Sequence, residues 1–359
     1  MMIKKTISFS LAGLMTFAAL TLPLEAAYTF KDGKIVDAKL CATMSLEEHY
    51  NAGVAALSAQ DWHTAGRQFG IAAANFPLSP YGQEAAFYQG VANYNMDEYD
   101  LADQAFSDYL EGKSNPELFE VAIEYKFAIA EKFRYGARRR LLGTRQLPKW
   151  ASAENNAIKI YEEIIAVVPI SEIAVQALFS KALMHWSQRQ YNEAVESFQM
   201  IIRRFPKHEL TPESYLMINR VYLDQAKWEF QNSDLLAFAE INARRFALAF
   251  PREERLAEAE RGVLAIKEVY ARGLYETGLF YKKIGYPRAS ILYFRTAIIQ
   301  FPETEIANFC KTCLARLGYE IPQEESCKES ENLMNQQRVM QLDDGEESEN
   351  QRSLINWIQ

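Results

Sequence analysis

The sequence predicts an all-α protein, a solenoid of paired helices, and three observations carry that prediction. The first is one pattern written twice between Tyr50 and Pro116. Gly53, Ala65, Phe69, Ala72 and Pro77 are followed by Gly90, Ala102, Phe106 and Tyr109, with Pro116 a little late. The second is the recurrence of this spacing down the chain. Ala157, Tyr161, Ile164 and Pro169 repeat its later half, Ala182, Ala194, Phe198, Ile201 and Pro206 the whole, and Gly278, Ser290, Phe294, Ala297 and Pro302 the whole again. The third is composition. With 49% hydrophobic and 13% aromatic residues, stacked hairpins have a substantial core available, which excludes disorder for the middle of the chain.

Each position in the pattern has a physical role. The small residues let two helices touch, the aromatic fills the space between hairpins, and the proline ends the second helix. Helix–turn–helix hairpins of the tetratricopeptide type read this way, at roughly 34 residues per unit. Counting a weaker copy at Ala239, Phe246 and Pro251, the fold expected is a tetratricopeptide-type helical hairpin solenoid of five to six repeats. An array of this kind reaches 359 residues without splitting into domains, because each hairpin packs only on its neighbours.

In chain order, residues 1–27 read as a secretory signal peptide. Lys4 and Lys5 precede an apolar run from Ile7 to Leu22, and Ala26 or Ala27 offers the cut; the rival reading is an uncleaved anchor. Residues 28–44 show no clear period and read as a linker. The array covers 45–319, opening on a Ser45/Glu48 capping box. Asp61-Trp62 and Asp97-Glu98-Tyr99-Asp100 mark inter-helix turns, and Pro80 starts a helix where its missing N–H costs little. After a helix over 117–133, Arg134 to Trp150 interrupts the regular corner with a basic insertion containing Arg138, Arg139 and Arg140. Such an insertion projects as a contact for an acidic partner surface, a carboxylate or anionic lipid, or else is a solvated loop. Helices are expected over 212–228 and 235–250. A helix over 255–270 is expected to precede the last hairpin, whose first helix holds Gly273 and Gly278. A closing helix over 306–317 then stops at Gly318. Residues 320–359 form an acidic tail expected to be disordered, ending in the apolar Leu354-Ile355-Asn356-Trp357-Ile358.

Little in the chain points to catalysis. His49, His63, His185 and His208 are scattered with no ligand pair on one helix face, and His185 reads as a satisfied core or groove histidine. No phosphate loop, dinucleotide fingerprint or nucleophile elbow occurs. Cys310 and Cys313 form a C-x-x-C inside a helix without the preceding strand of a redox motif or the second ligand pair of a zinc site. Packing thiols are the leading reading and a bond or metal the other. No cofactor and no metal is expected. The net charge of −8 and the export signal argue against nucleic acid. Binding remains: aromatics along first helices supply contact area, and asparagine and arginine pair with a bound chain's backbone or carboxylate.

The residues also carry a family likeness. Phe76-Pro77-Leu78-Ser79-Pro80-Tyr81, Gly90-Val91-Ala92-Asn93-Tyr94, and the turn Tyr281-Lys282-Lys283-Ile284-Gly285-Tyr286-Pro287-Arg288 resemble repeats of the BamD/ComL-type outer-membrane assembly lipoproteins, over Ser45 to Leu317. The resemblance implies a non-enzymatic periplasmic scaffold, peripheral at the outer membrane of a Gram-negative bacterium. Its early repeats would receive unfolded outer-membrane proteins, and its late repeats would hold the barrel-assembly protein. By position, Tyr50, Phe87, Tyr94 and Asn95 would line the peptide groove. Tyr281, Arg288 and Arg295 would lie in the docking region. The family is acylated on a cysteine at its cleavage site; here Cys41 lies well past the apolar run, and an extra hairpin occupies Tyr215 to Pro251. The alternative role is a periplasmic adaptor for cell-wall synthesis, division or secretion complexes.

Overall fold

Thirteen helices and two short antiparallel strand pairs make up the described residues. A computed structural model describes residues 28–31, 34–37, 41–112, 116–141, 148–229 and 232–319. The leader and the acidic tail of the sequence reading lie outside them. Strand β1 (Tyr28–Lys31) pairs with β2 (Lys34–Asp37), so the segment read as a linker contains an antiparallel strand pair. Its signal is Asp32-Gly33, a dipeptide favoured at two-residue hairpin turns, between short runs holding β-branched residues.

The described residues divide into two compact units between Ile164 and Ile165. In the first, α1 (Leu46–Ser58) pairs with α2 (Trp62–Asn75), and α3 (Pro80–Asn95) with α4 (Tyr99–Gly112). A third pair, α5 (Phe119–Arg134) and α6 (Glu154–Val167), is separated by the insertion. There β3 (Arg138–Arg139) pairs with β4 (Ala151–Ser152). The capping box is present: Ser45 Oγ accepts from the Glu48 N–H at 3.3 Å, and the Ser45 N–H donates to Glu48 Oε2 at 2.9 Å. First helices α1, α3 and α5 neighbour one another, so their outward side chains share one face.

The second unit repeats the plan. Helix α7 (Glu172–Ser187) pairs with α8 (Tyr191–Arg204), α9 (Leu210–Trp228) with α10 (Asp234–Ala249), and α11 (Leu256–Lys283) with α12 (Pro287–Gln300). Helix α13 (Glu305–Arg316) closes the array. Two expected helices, over 255–270 and through Gly278, are instead the single 28-residue α11. The apolar stripe Val263, Ile266, Tyr270, Leu274 and Gly278 continues without a phase break, and no proline interrupts it. Neither Gly262 nor Gly273, each at a cost of about 1 kcal/mol, ends a helix packed along that length.

The repeat signature is a contact. A Cβ built on Gly53 or Gly90 would stand 2.8 Å from the ring of Phe69 or Phe106, and one on Gly278 2.6 Å from Phe294. These phenylalanines are fully buried, and the absent side chain is what lets each pass across the neighbouring helix. The corners share a conformation too. Gln60, Asp97 and Arg189 each sit at φ near +60° between the helices of their hairpin, and Gly285 takes the same place in the last one. A buried ion cluster joins α4, α5 and α6. Lys126 Nζ lies 2.9 Å from Asp103, 3.0 Å from Glu163 and 2.6 Å from Ser107 Oγ. Burial favours the neutral amine, but the two carboxylates outweigh it and push the Lys126 pKa up.

Candidate functional site

The first unit gathers its aromatics on the first-helix face. On α3, Tyr81, Glu84, Tyr88 and Asn95 fall at i, i+3, i+7 and i+14, on one side of the helix. The Tyr50 ring from α1 lies 5.1 Å from that of Tyr81 and 6.4 Å from that of Tyr88. Tyr88 in turn stacks on the buried Phe69 at 5.2 Å. Tyr81 is 54% exposed, while Tyr50 and Tyr88 are half-buried. Burial, and next the Glu84 carboxylate, hold both half-buried phenols above the usual range, so they stay protonated and able to donate.

The four residues expected in this groove have different fates. Tyr50 belongs to the face. Tyr94 is half-buried against Tyr99 and Tyr125, with ring centroids 5.5 and 5.2 Å away. Asn95 is exposed, and its Nδ2 donates to the Val91 carbonyl at 2.8 Å. Phe87 is 4% exposed and wedged among Phe106, Tyr109 and Tyr125, so it shapes the face from beneath and presents no surface itself. The sequence reading missed Tyr81, Glu84, Tyr88 and Tyr125, although the seven-residue step from Tyr81 to Tyr88 was visible.

The basic insertion is partly consumed by the protein. Arg140 is 8% exposed. Its guanidinium pairs with Glu98 and, at 2.8 Å, with Asp100, while its N–H donates to Asp100 Oδ2 at 3.1 Å. Lys149 reaches Glu98 at 3.0 Å and the Asp97 carbonyl at 2.8 Å. Both cations thus fasten the insertion to the corner between α3 and α4. Arg140 is therefore corrected from a partner contact to a structural clamp, because its guanidinium and N–H are taken up by Glu98 and Asp100 of its own chain. Arg138 is exposed and Arg139 half-buried, and neither has an ion-pair partner among the described residues.

In the second unit, the end of α11 and the start of α12 form an exposed edge. Tyr281 stacks on Tyr293 at 5.4 Å and 7°, with Phe280 edge-on beside it. Phe280, Ile284, Tyr286 and Leu292 are exposed. Arg288 is exposed, and Arg295, two helical turns on, holds its guanidinium 5.7 Å from the Tyr319 ring centroid. Tyr281, Arg288 and Arg295 thus fall on the last hairpin together.

The remaining sequence candidates are packing groups. His185 is buried with Nδ1 2.6 Å from Gln190 Oε1 at the corner of its hairpin. Cys310 and Cys313 are unbridged and buried in the second-unit core, and burial pushes the Cys310 thiol up to about 12. Among the described residues no cluster of His, Cys, Asp and Glu could hold a metal ion, and no helix is long and apolar enough to cross a membrane.

Comparison with known proteins now adds to this geometry. The YfiO family, described as outer membrane lipoprotein, matches residues 42–123 and 147–332. The chain belongs to this family. The gap between the two matched segments falls on the insertion, so the YfiO pattern is interrupted where the repeat spacing is. Among solved structures, the chain is similar to a tetratricopeptide repeat protein (BF2334) of Bacteroides fragilis, at 14% identity and a TM-score of 0.38 over 76% of this chain and 100% of that one. It is similar also to MamA of Desulfovibrio magneticus, at 16% and 0.32 over 60% and 95%. The pilus biogenesis factor PilW matches at 13% and 0.26 over 75% and 99%. No curated protein matches at a comparable level. The protein is a YfiO-family chain built of tetratricopeptide-type hairpins.

Proposed function

We propose that this chain is a non-catalytic scaffold at the outer membrane that assists insertion of outer-membrane proteins. The observation that carries the reading is the family match, which spans both units. The tyrosine face of α1, α3 and α5 receives unfolded outer-membrane proteins. Its rings offer flat contact area for the alternating aromatic and aliphatic side chains of a strand precursor, and Glu84 and Asn95 take up backbone N–H groups. The edge at Phe280, Tyr286, Arg288 and Leu292 docks the barrel-assembly protein, with apolar anchors beside a cation. On this reading Cys41, one residue before the family match begins, carries the lipid. Cleavage there would remove β1 and β2 from the mature chain.

Photo-crosslinking residues placed at positions 81 and 288 test both halves in the living envelope. Position 81 is expected to trap barrel precursors, and position 288 the barrel-assembly protein. Crosslinks to cell-wall synthases or secretion components at both positions would overturn this reading in favour of a different envelope adaptor.

A further inference from the structure

We propose that the described residues of the insertion between α5 and α6, 135–141 and 148–150, form a second membrane contact, one that binds the phosphate headgroups of an anionic bilayer. Its cations divide into two sets by what they already hold. Arg140 and Lys149 are committed to Glu98, Asp100 and the Asp97 carbonyl, and Arg134 to Glu131 at 2.6 Å. These pairs neutralise the carboxylates and hold Arg140 and Lys149 in place. Arg138 and Arg139 remain. Neither has a carboxylate partner among the described residues, and Arg138 is exposed next to the half-buried Arg139. A guanidinium in that state matches phosphate oxygens, which take two parallel N–H donors at once.

The apolar side chains of the same described residues select among possible anionic surfaces. Tyr135 is 76% exposed and Trp150 71%, with Leu141 exposed beside them. The Arg134 guanidinium lies 4.2 Å from the Tyr135 ring centroid and shields one face of it. An acidic protein surface would satisfy the arginines and leave three large apolar groups in water. A bilayer surface satisfies both: tryptophan and tyrosine settle at headgroup level, leucine reaches the acyl boundary, and arginine meets phosphate. In a chain with a net charge of −8, unpaired arginines beside exposed rings are a local feature with its own use. The contact orients a scaffold that a single acyl chain would tether without orienting. The inference rests on the envelope placement proposed above only for where such lipid is met.

The test is co-sedimentation of the full exported chain carrying Cys41→Ser, so that no acyl group contributes. Vesicles are phosphatidylcholine alone or with about 30% phosphatidylglycerol, at about 0.1 M salt. Binding to the anionic vesicles only is expected, with the pair Arg138→Ser/Arg139→Ser weakening it by about 30-fold. Trp150→Phe should abolish the blue shift of tryptophan emission on binding while leaving circular dichroism unchanged. Equal binding to both vesicles, no binding, or full binding by the double arginine variant overturns the proposal. So does loss of crosslinks to an acidic protein in that variant with vesicle binding intact. Crosslinks at positions 81 and 288 read the scaffold role separately, so the two ideas fail independently.

Discussion

Gly90→Ala sets two effects of opposite sign against each other. In an open helix, alanine gains about 0.5–1 kcal/mol over glycine because the unfolded chain has less freedom to lose. Here the new Cβ would lie 2.8 Å from Cε1 and Cζ of Phe106, inside an ordinary contact of about 3.5–4.0 Å by roughly 0.7–1.2 Å. The ring cannot swing away. It is fully buried, stacked on Tyr125 at 5.0 Å and held edge-on by Phe87 at 5.6 Å. Overpacking of this kind costs about 1–3 kcal/mol, so the net expectation is a loss of about 1–2 kcal/mol. Urea unfolding followed by circular dichroism would show it as a midpoint lowered by about 0.5–1 M. Adding Phe106→Leu should recover about 1 kcal/mol in a double-mutant cycle. Gly262→Ala is the control, because its Cβ would meet Asn219 at 3.6 Å, an ordinary contact, and it should stabilise. If Gly90→Ala raised the midpoint as the control does, the small residue would be serving no close approach and the reasoning about the repeat would fail.

Three further outcomes are expected. Lys126→Met should cost about 3–5 kcal/mol by leaving Asp103, whose carboxyl burial already pushes up, without its cation, and Asp103→Leu added to it should restore most of the loss; thermal unfolding of the two variants decides this. Gln60→Gly should raise stability by up to about 1 kcal/mol in urea titration, since φ of +57° strains any side chain there and the residue is exposed. Cys310 ionises at about 9 when unfolded and at about 12 when folded, so the unfolded chain loses its proton first. Stability from this thiol is complete below pH 9 and falls by up to about 1.4 kcal/mol per pH unit as pH rises towards 12. Cys310→Ala should flatten that alkaline slope in urea titrations at stepped pH, and an unchanged slope would rule the thiol out as its source.

Adjacent residues of the insertion show where sequence stops being informative. Arg138, Arg139 and Arg140 are chemically identical, yet only Arg140 is buried on Asp100, forty residues earlier in the chain. Phe87 and Tyr88 are neighbours, and the fold sends the first beneath the aromatic face and leaves the second on it. Likewise Arg255 to Lys283 looked like two elements because 255–270 fits no repeat position while Gly278 opens the spacing of the last hairpin. Packing of one unbroken stripe against α9, α10, α12 and α13 makes it one.

The sequence by itself determined the hairpins. Helix period, caps, corners and the glycine-to-phenylalanine step depend on groups a few residues to a few turns apart, whose energies are set before the chain closes. Only the tertiary structure decided which aromatics form a surface, which arginine of the insertion is buried on its own chain's carboxylates and where one helix continues into the next. Those outcomes depend on what a distant segment brings alongside, and a partner forty residues away leaves no periodic trace in the sequence.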